Sequence, residues 1–450
     1  MAASGWLPRT ISAAIPFNCN MAGARDAALG ALVACRRSGA WSDGVLKERL
    51  TQLDRRDAAL ASRLCYGVLQ NCRLLDFWID SFARGKLQPV VREILRLAVY
   101  QLRFMDKIPA SAAVNEAVEQ TKRLANVQAA RLVNGVLRAM LRAEHWPQSA
   151  DPAVRYSHPQ PLADLLTAEF GREQAERLMA SHNTAPSTVL QVNRLRATAA
   201  QMAQALEAAG AQWEPHPWLA DCLTVAGTGN LEQLPAFREG WFYVQDTAAR
   251  LAVEAAGLQP GMRVLDCCAA PGGKSFAAAI AMENRGQLTS CDIHPHKLKL
   301  IEAGAGRLGI DIITTRLKNA AEAVEEWVGA MDAVIADVPC SGLGVIRKKP
   351  DIRNKELASM ERLPELQTAI LENQARYVRP GGVLIYSTCT VLQRENQAVA
   401  KEFLNKHPEF VPETVEFPRN SGIPAGAMTT LLPCDHGTDG FFICKLRRQA

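Results

Sequence analysis

From residue 25 to about residue 142, apolar residues recur at spacings of three and four, the mark of helices with one buried face. Ala27, Leu29, Ala31, Leu32 and Val33 open the first, and Leu60, Leu64, Val68, Leu69 and Leu75 carry a second. Val91, Ile94, Leu95, Leu97, Ala98 and Leu102 form a third. After Pro109, the residues Val114, Ala117, Val118 and Leu124 share a face, and Val133, Val136, Leu137 and Leu141 close the series. Pro89, Pro109 and Pro147 fall between these runs, where a missing N–H does least harm. The spacing predicts an all-α bundle over residues 21–145.

Between residues 146 and 246 the pattern breaks into shorter pieces. A loop and helix at 156–171 precede the strand-like TVLQVN (188–193), an amphipathic helix at 198–209, and short strands at 221–225 and 241–244. A linker and a small α+β unit are expected there. Over 247–450 apolar runs alternate with helical stretches. RVLDCCA (263–269), QLTSCDI (287–293), DAVIADVP (332–339) and GVLIYSTC (382–389) each end in polar residues or cysteines. Such alternation predicts an α/β doubly wound, Rossmann-like sheet whose ligands gather at the carboxyl ends of the strands.

Composition adds little to this picture, and the distribution of charge adds more. Hydrophobic residues make up 48% and charged residues 22% of the chain, as in ordinary soluble proteins. No apolar run approaches the roughly 20 residues needed to span a membrane, so no membrane partner is expected. Residues 11–17 are mildly apolar but interrupted by Ser12 and Pro16, a poor secretory signal, and residues 1–20 are expected to be a disordered extension ahead of Met21. The 12 cysteines show no C-x-x-C pair, which leaves no zinc or thioredoxin-like pattern. A reduced, cytoplasmic protein without a metal is the expectation. Residues 21–145 hold 20 Lys and Arg against 12 Asp and Glu, whereas 146–450 hold 30 against 34. A basic helical module on a near-neutral body suits a polyanionic partner, although a solvated helix surface would look the same.

The chemistry concentrates at the predicted strand ends. In LDCCAAPGGKS (265–275), Gly272 and Gly273 allow a tight turn and close approach of a ligand to the backbone. The string has neither the G-x-x-x-x-G-K-[ST] nor the G-x-G-x-x-G spacing. Asp292 ends the next strand, where a carboxylate can accept from both ribose hydroxyls of a nucleoside, or simply cap the following helix. DVPCSGLG (337–344) and STCT (387–390) end two later strands and bring Asp337, Cys340 and Cys389 toward one cleft. Either cysteine alone would read as a small buried hydrophobe. Arg347, Lys348, Lys349 and Arg353 follow at the expected rim, placed to hold the phosphates of a polyanion.

Taken whole, D-x-C-A-A-P-G-G-K resembles the cofactor loop of the RNA 5-methylcytosine methyltransferases of the RsmB/Sun (Fmu) group. The run ILRLAVYQLRFMDKIPASAAVNEAVEQTKR (94–123) with RLVNGVLRAMLR (131–142) resembles the NusB RNA-binding fold, and the middle segment resembles the RRM-like unit that precedes the core in bacterial relatives. The resemblance implies S-adenosylmethionine as cofactor, held by Cys268, Ala269, Ala270, Pro271, Gly272, Gly273 and Lys274 with Asp292 and Asp337. Where the group typically offers an aspartate toward the adenine, this chain has Asn319, an uncharged acceptor. The resemblance further implies that Cys389 attacks carbon 6 of a cytosine and Cys340 assists release. Asp337 would meet the N3 edge of the base, and Lys274 the base or phosphate. The expected substrate is a single-stranded or looped cytosine in 16S rRNA, acted on by a monomer. Transfer RNA methylation and a non-catalytic rRNA-binding assembly factor are the alternatives.

Overall fold

The computed structural model describes residues 23–38 and 42–450; the expected extension at 1–20 lies outside them. The chain forms two compact units that meet in sequence at Leu165 and Leu166.

The first unit is the helical bundle: α1 (Ala24–Ser38), α2 (Ser42–Leu50), α3 (Arg55–Phe82), α4 (Pro89–Phe104), α5 (Ala110–Leu124) and α6 (Val127–Arg142). Side-chain caps set two of its starts. Asp54 accepts from the Asp57 N–H and Asn126 from the Ala129 N–H, each at 2.8 Å, and Pro89 opens α4 at the position where its lost donor is not needed. The periodic positions form the core, with Leu64, Val68, Leu75, Ile94, Leu95, Val133 and Leu137 buried. Leu141 departs from the expected pattern: it is 47% exposed, and Met140 takes the core position one residue earlier. Helical spacing allows either i+3 or i+4 from Leu137, and packing selects the first.

In the second unit, β1 (Thr188–Val192), β2 (Gln212–Pro215), β3 (Cys222–Ala226) and β4 (Phe242–Val244) form a small sheet in the order β2-β3-β1-β4. The helix Ala199–Ala208, with a capping box between Thr198 and Gln201, supplies its other layer. Strand β2 had no signal in the sequence. It is an edge strand with no buried side chain, so no alternation marks it.

The large sheet comprises β5 (Arg263–Asp266), β6 (Gln287–Asp292), β7 (Ile313–Leu317), β8 (Met331–Asp337), β9 (Val378–Thr388), β10 (Phe410–Pro412), β11 (Met428–Leu431) and β12 (Phe441–Arg448). Its order is β10-β12-β9-β8-β5-β6-β7, with β11 on β12. Strands β5 to β9 are parallel, while β12 pairs antiparallel with β9, β10 and β11. From β5 the chain winds to β6 and β7 on one side and to β8 and β9 on the other, which opens a crevice beyond the β5 and β8 carboxyl ends. The described residues contain no helix long and apolar enough to cross a membrane.

Candidate active site

The turn after β5 is built by backbone bonds. The Ala269 N–H donates to Cys291 O at the end of β6 (2.8 Å), and the Gly272 N–H donates to Ala269 O (2.8 Å). Gly272 has φ +111°, and a β-carbon there would lie 2.5 Å from the Phe276 ring, so only glycine fits both constraints. The helix Gly273–Ala281 starts immediately and buries Ser275, which donates to Asp266 Oδ2 (2.7 Å) and meets the Ser290 hydroxyl at 2.7 Å. Asp266 is fully buried and its Oδ1 has no partner. Burial raises its carboxyl to about 6, against the opposing effects of the Ser275 bond and Lys274.

Lys274 projects from the first turn of that helix to Asp337 at the end of β8, with Nζ 2.7 Å from Oδ2. Burial works against the ammonium, but Asp337 outweighs it and holds Lys274 above the usual lysine value. Ser387, paired in register with Asp337 across β8 and β9, donates to the other carboxylate oxygen at 2.9 Å. The Lys274 ammonium also lies 5.3 Å from the centre of the Phe441 ring, at the start of β12.

The two strand-end cysteines meet. Cys340 and Cys389 are free thiols, each partly buried, with their sulfurs 3.2 Å apart. The shared hydrogen bond lowers Cys389 below the ordinary thiol value; Lys274 adds to this while burial, Asp337 and Asp439 oppose it. The same bond, with burial, pushes Cys340 well above that value. Either sulfur can be the donor in that contact. Backbone contacts fix the arrangement: the Gly344 N–H donates to Cys389 O (3.0 Å) and the Gly440 N–H to Gly344 O (2.8 Å). A β-carbon on Gly344 would lie 1.9 Å from Gly440 O, so these backbones cross at a distance only glycine permits.

The other sequence-predicted residues fall in different places. Cys268, Ala269, Ala270 and Pro271 form the turn itself, beside the Gly272–Gly273 step. Asp292 accepts from the His294 N–H through Oδ1 (2.9 Å), a turn ahead of the helix Pro295–Leu308 and not its cap, which is His294; Oδ2 makes no hydrogen bond. Asn319 lies beyond β7 with its amide oxygen engaged by the Ala321 N–H (3.1 Å). The basic loop departs from expectation. Arg347 is buried on Asp439 and Gly437 O, Lys348 bridges Asp246 and Asp439 at 2.8 and 2.7 Å, and Arg353 is buried and donates to Asn183. Internal carboxylates neutralise Arg347 and Lys348, neutral oxygens hold the buried Arg353, and only Lys349 is exposed. Ser387 and Phe441 were missed as site residues. The STCT and GTDGFF strings contain them, but nothing in the strings shows that they face Asp337 and Lys274.

A parallel α/β sheet with a glycine turn after its central strand and acidic residues at the next strand ends defines a methyltransferase core. The sequence comparisons agree with the fold. The family profile for 16S rRNA methyltransferase RsmB/F matches residues 254–447, that of the NusB family residues 22–142, and that of the ferredoxin-like domain of RsmF/B-like methyltransferases residues 158–232. The chain is 36% identical to the probable ribosomal RNA small subunit methyltransferase B of Bacillus subtilis, over 94% of this chain and 98% of that one. With the ribosomal RNA small subunit methyltransferase B of Vibrio cholerae it shares 34% identity over 94% and 97%. The crystal structure of PH0851 matches with a TM-score of 0.77 at 26% identity, covering 94% and 98% of the two chains. A methyltransferase homolog protein from Pyrococcus horikoshii matches with a TM-score of 0.58 at 25% identity, over 67% and 100%. The chain belongs to the RsmB/F family of 16S rRNA methyltransferases, with a NusB domain, a small ferredoxin-like domain and a Rossmann-like core. Membership implies an RNA substrate and S-adenosylmethionine as methyl donor.

Proposed function

We propose that this protein transfers a methyl group from S-adenosylmethionine to carbon 5 of a cytosine in 16S rRNA, with Cys389 as covalent nucleophile. The observation that carries the reading is the thiol pair, 3.2 Å apart, at the ends of two neighbouring strands beside the Lys274–Asp337 ion pair. A binding module has no use for two thiols so placed.

The turn at 268–273 fits the cofactor. Beside it Asp266 keeps a buried oxygen without a partner, and Asp292 has a free carboxylate oxygen. Asp292 would hold the ribose and the turn the methionine portion. Asn319, already engaged locally, would contribute at most its second lone pair toward the adenine. When bound, the sulfonium supplies an electrophilic methyl group.

Carbon 5 of cytosine is a weak nucleophile. Addition of the Cys389 thiolate at carbon 6 forms an S–C bond and moves the ring's electron pair onto carbon 5 as an enamine, which takes the methyl group. Charge grows on the N3 edge during addition. Asp337, held by Lys274 and Ser387, meets that edge, and the Lys274 ammonium offsets the charge. Release requires loss of the proton on carbon 5 and cleavage of the S–C bond, with Cys340 beside Cys389 as the assisting group. Among the basic-loop residues, Lys349 is the one left to meet phosphate.

The test is methyl transfer from radiolabelled S-adenosylmethionine to unmodified small-subunit rRNA and to bulk tRNA, followed by nucleoside analysis. Label in 5-methylcytidine from rRNA alone is the expected result. Label from tRNA would keep the chemistry and change the target, while no label despite cofactor binding would leave a non-catalytic assembly factor.

A further inference from the structure

Behind the thiol pair lies a carboxylate that none of the steps above uses. Glu395 sits in the turn Gln393–Glu395 after β9 and is fully buried. Its Oε2 accepts from the Ser341 N–H, next to Cys340, and from Gln367 Nε2, both at 2.9 Å. Gln367 Nε2 also donates to Pro339 O (3.0 Å), so both neighbours of Cys340 are tied to this one glutamate–glutamine pair. Tyr386, on β9, donates its hydroxyl to Glu395 O. Glu395 Oε1 and Gln367 Oε1 are both buried without a partner, and Glu395 forms no ion pair among the described residues. A carboxylate buried without a counter-ion is costly to a fold unless hydrogen bonds compensate it, and here only one of the two oxygens is bonded.

The nearby group is the Cys340–Cys389 contact, in which one proton lies between two sulfurs. Several charges face that contact. Asp337 faces both thiols, Lys274 and Asp439 face Cys389, and Glu395 and the Tyr386 hydroxyl face Cys340. Glu395 thus stands on the Cys340 side, bonded to the Ser341 N–H, while the Lys274 ammonium is held on Asp337.

We propose that Glu395 is a positioning residue for the thiol pair. Pinned behind the Cys340 loop, its carboxylate makes Cys340 the proton donor of the sulfur–sulfur contact and leaves the negative charge on Cys389. The importance of this for turnover rests on Cys389 being the nucleophile, but the ordering of the thiols is a property of the RNA-free protein and is tested there.

The experiment follows initial rates of iodoacetamide labelling at Cys340 and Cys389 across a pH series, resolved by peptide mass spectrometry on the full chain without RNA. In the wild type Cys389 should label at lower pH than Cys340. Glu395→Gln keeps the shape of the side chain and an oxygen for the Ser341 N–H and Gln367 Nε2, so folding should survive. Its Cys340 labelling midpoint should fall by about one pH unit, a typical effect of removing a neighbouring like charge. Glu395→Asp, measured in parallel, retains the charge and should keep a midpoint above that of the Gln variant. A purely structural role would move the melting temperature and leave the midpoint alone. An unchanged Cys340 midpoint in Glu395→Gln, an equal fall in Glu395→Asp, or a wild-type order with Cys340 first would each overturn the proposal. Full methyl transfer by Cys389→Ser would instead sink the catalytic reading and leave the thiol order standing.

Discussion

The helical bundle and the methyltransferase core each bury a cluster of charge, and the two clusters are built in opposite ways. In the bundle, Arg96 is 4% and Glu93 2% exposed. Arg96 bonds to Asp76 and to Glu93 (2.7 Å), Arg36 reaches Glu93 at 2.5 Å, and Arg92 spans Asp76 and Asp80. Planar guanidinium forks meet carboxylates at several points, and this multiplicity locks α3 against α4. At the strand ends of the core, apart from the network that Lys348 and Arg347 make with Asp246 and Asp439, one lysine meets one carboxylate, a serine meets the same group, and acceptor atoms on Asp266 and Glu395 remain without partners. A point-charge ammonium can exchange one partner for another with little geometric cost. The first cluster is therefore closed and structural, whereas the second keeps bonding capacity in reserve at the strand ends, where a substrate can use it.

The sharpest way to break this contrast is at the thiols. Cys389→Ser should lower methyl transfer by about 10³-fold or more, with RNA binding and melting temperature unchanged; near-wild-type transfer would refute the nucleophile. Cys340→Ala should accumulate a protein–RNA species that survives denaturing electrophoresis, and its absence would remove Cys340 from release. In the bundle the same kind of truncation should act on stability instead. Arg96→Ala leaves Glu93 and Asp76 short of a partner and should cost roughly 3–5 kcal/mol in denaturant unfolding, without altering the labelling order of Cys340 and Cys389. A loss below about 1 kcal/mol would mean that the cluster is not closed in this sense.

A finer test uses pH. The Asp266 carboxyl titrates at about 6 in the folded protein against an ordinary 3.8, chiefly because it is buried. Between those values the folded state keeps a proton that the unfolded chain loses, so the contribution of Asp266 to stability falls as pH rises from about 4 to about 6, by roughly 3 kcal/mol, with Glu93 and Asp439, raised to about 7 and about 6, acting in the same direction. Asp266→Asn should flatten that slope, and an identical slope in the variant would place the titration elsewhere. The smallest effect belongs to the basic loop. Lys349→Ala should weaken RNA binding only a few-fold and reduce its salt dependence by about one ion, while Arg347→Ala should lower the melting temperature instead.

How much of this was legible varied by region. The bundle follows its apolar spacing closely, and the miss at Leu141 is a one-residue choice within a single helical face. In the core, Asp337, Cys340 and Cys389 could be placed at strand ends because apolar runs stop there. Ser387, Glu395 and Asp439 gave no comparable signal. Each is polar in a stretch that reads as an ordinary strand end or turn, and each matters through partners far away in sequence. The basic loop misled for the same reason. Four cations in VIRKKPDIR look solvent-facing until Asp246 and Asp439 are seen beneath them.

The sequence by itself determined the elements, their order and the chemistry available at the strand ends, because periodicity, caps and glycine turns are local and written in neighbouring residues. Only the tertiary structure decided that the two sulfurs meet, which cations are already neutralised and which buried oxygens stay open. Those outcomes depend on distances between residues far apart in sequence, such as Cys340 with Cys389, 49 positions apart, and Asp246 with Asp439, 193 apart, and on burial that strengthens every charge left unpaired.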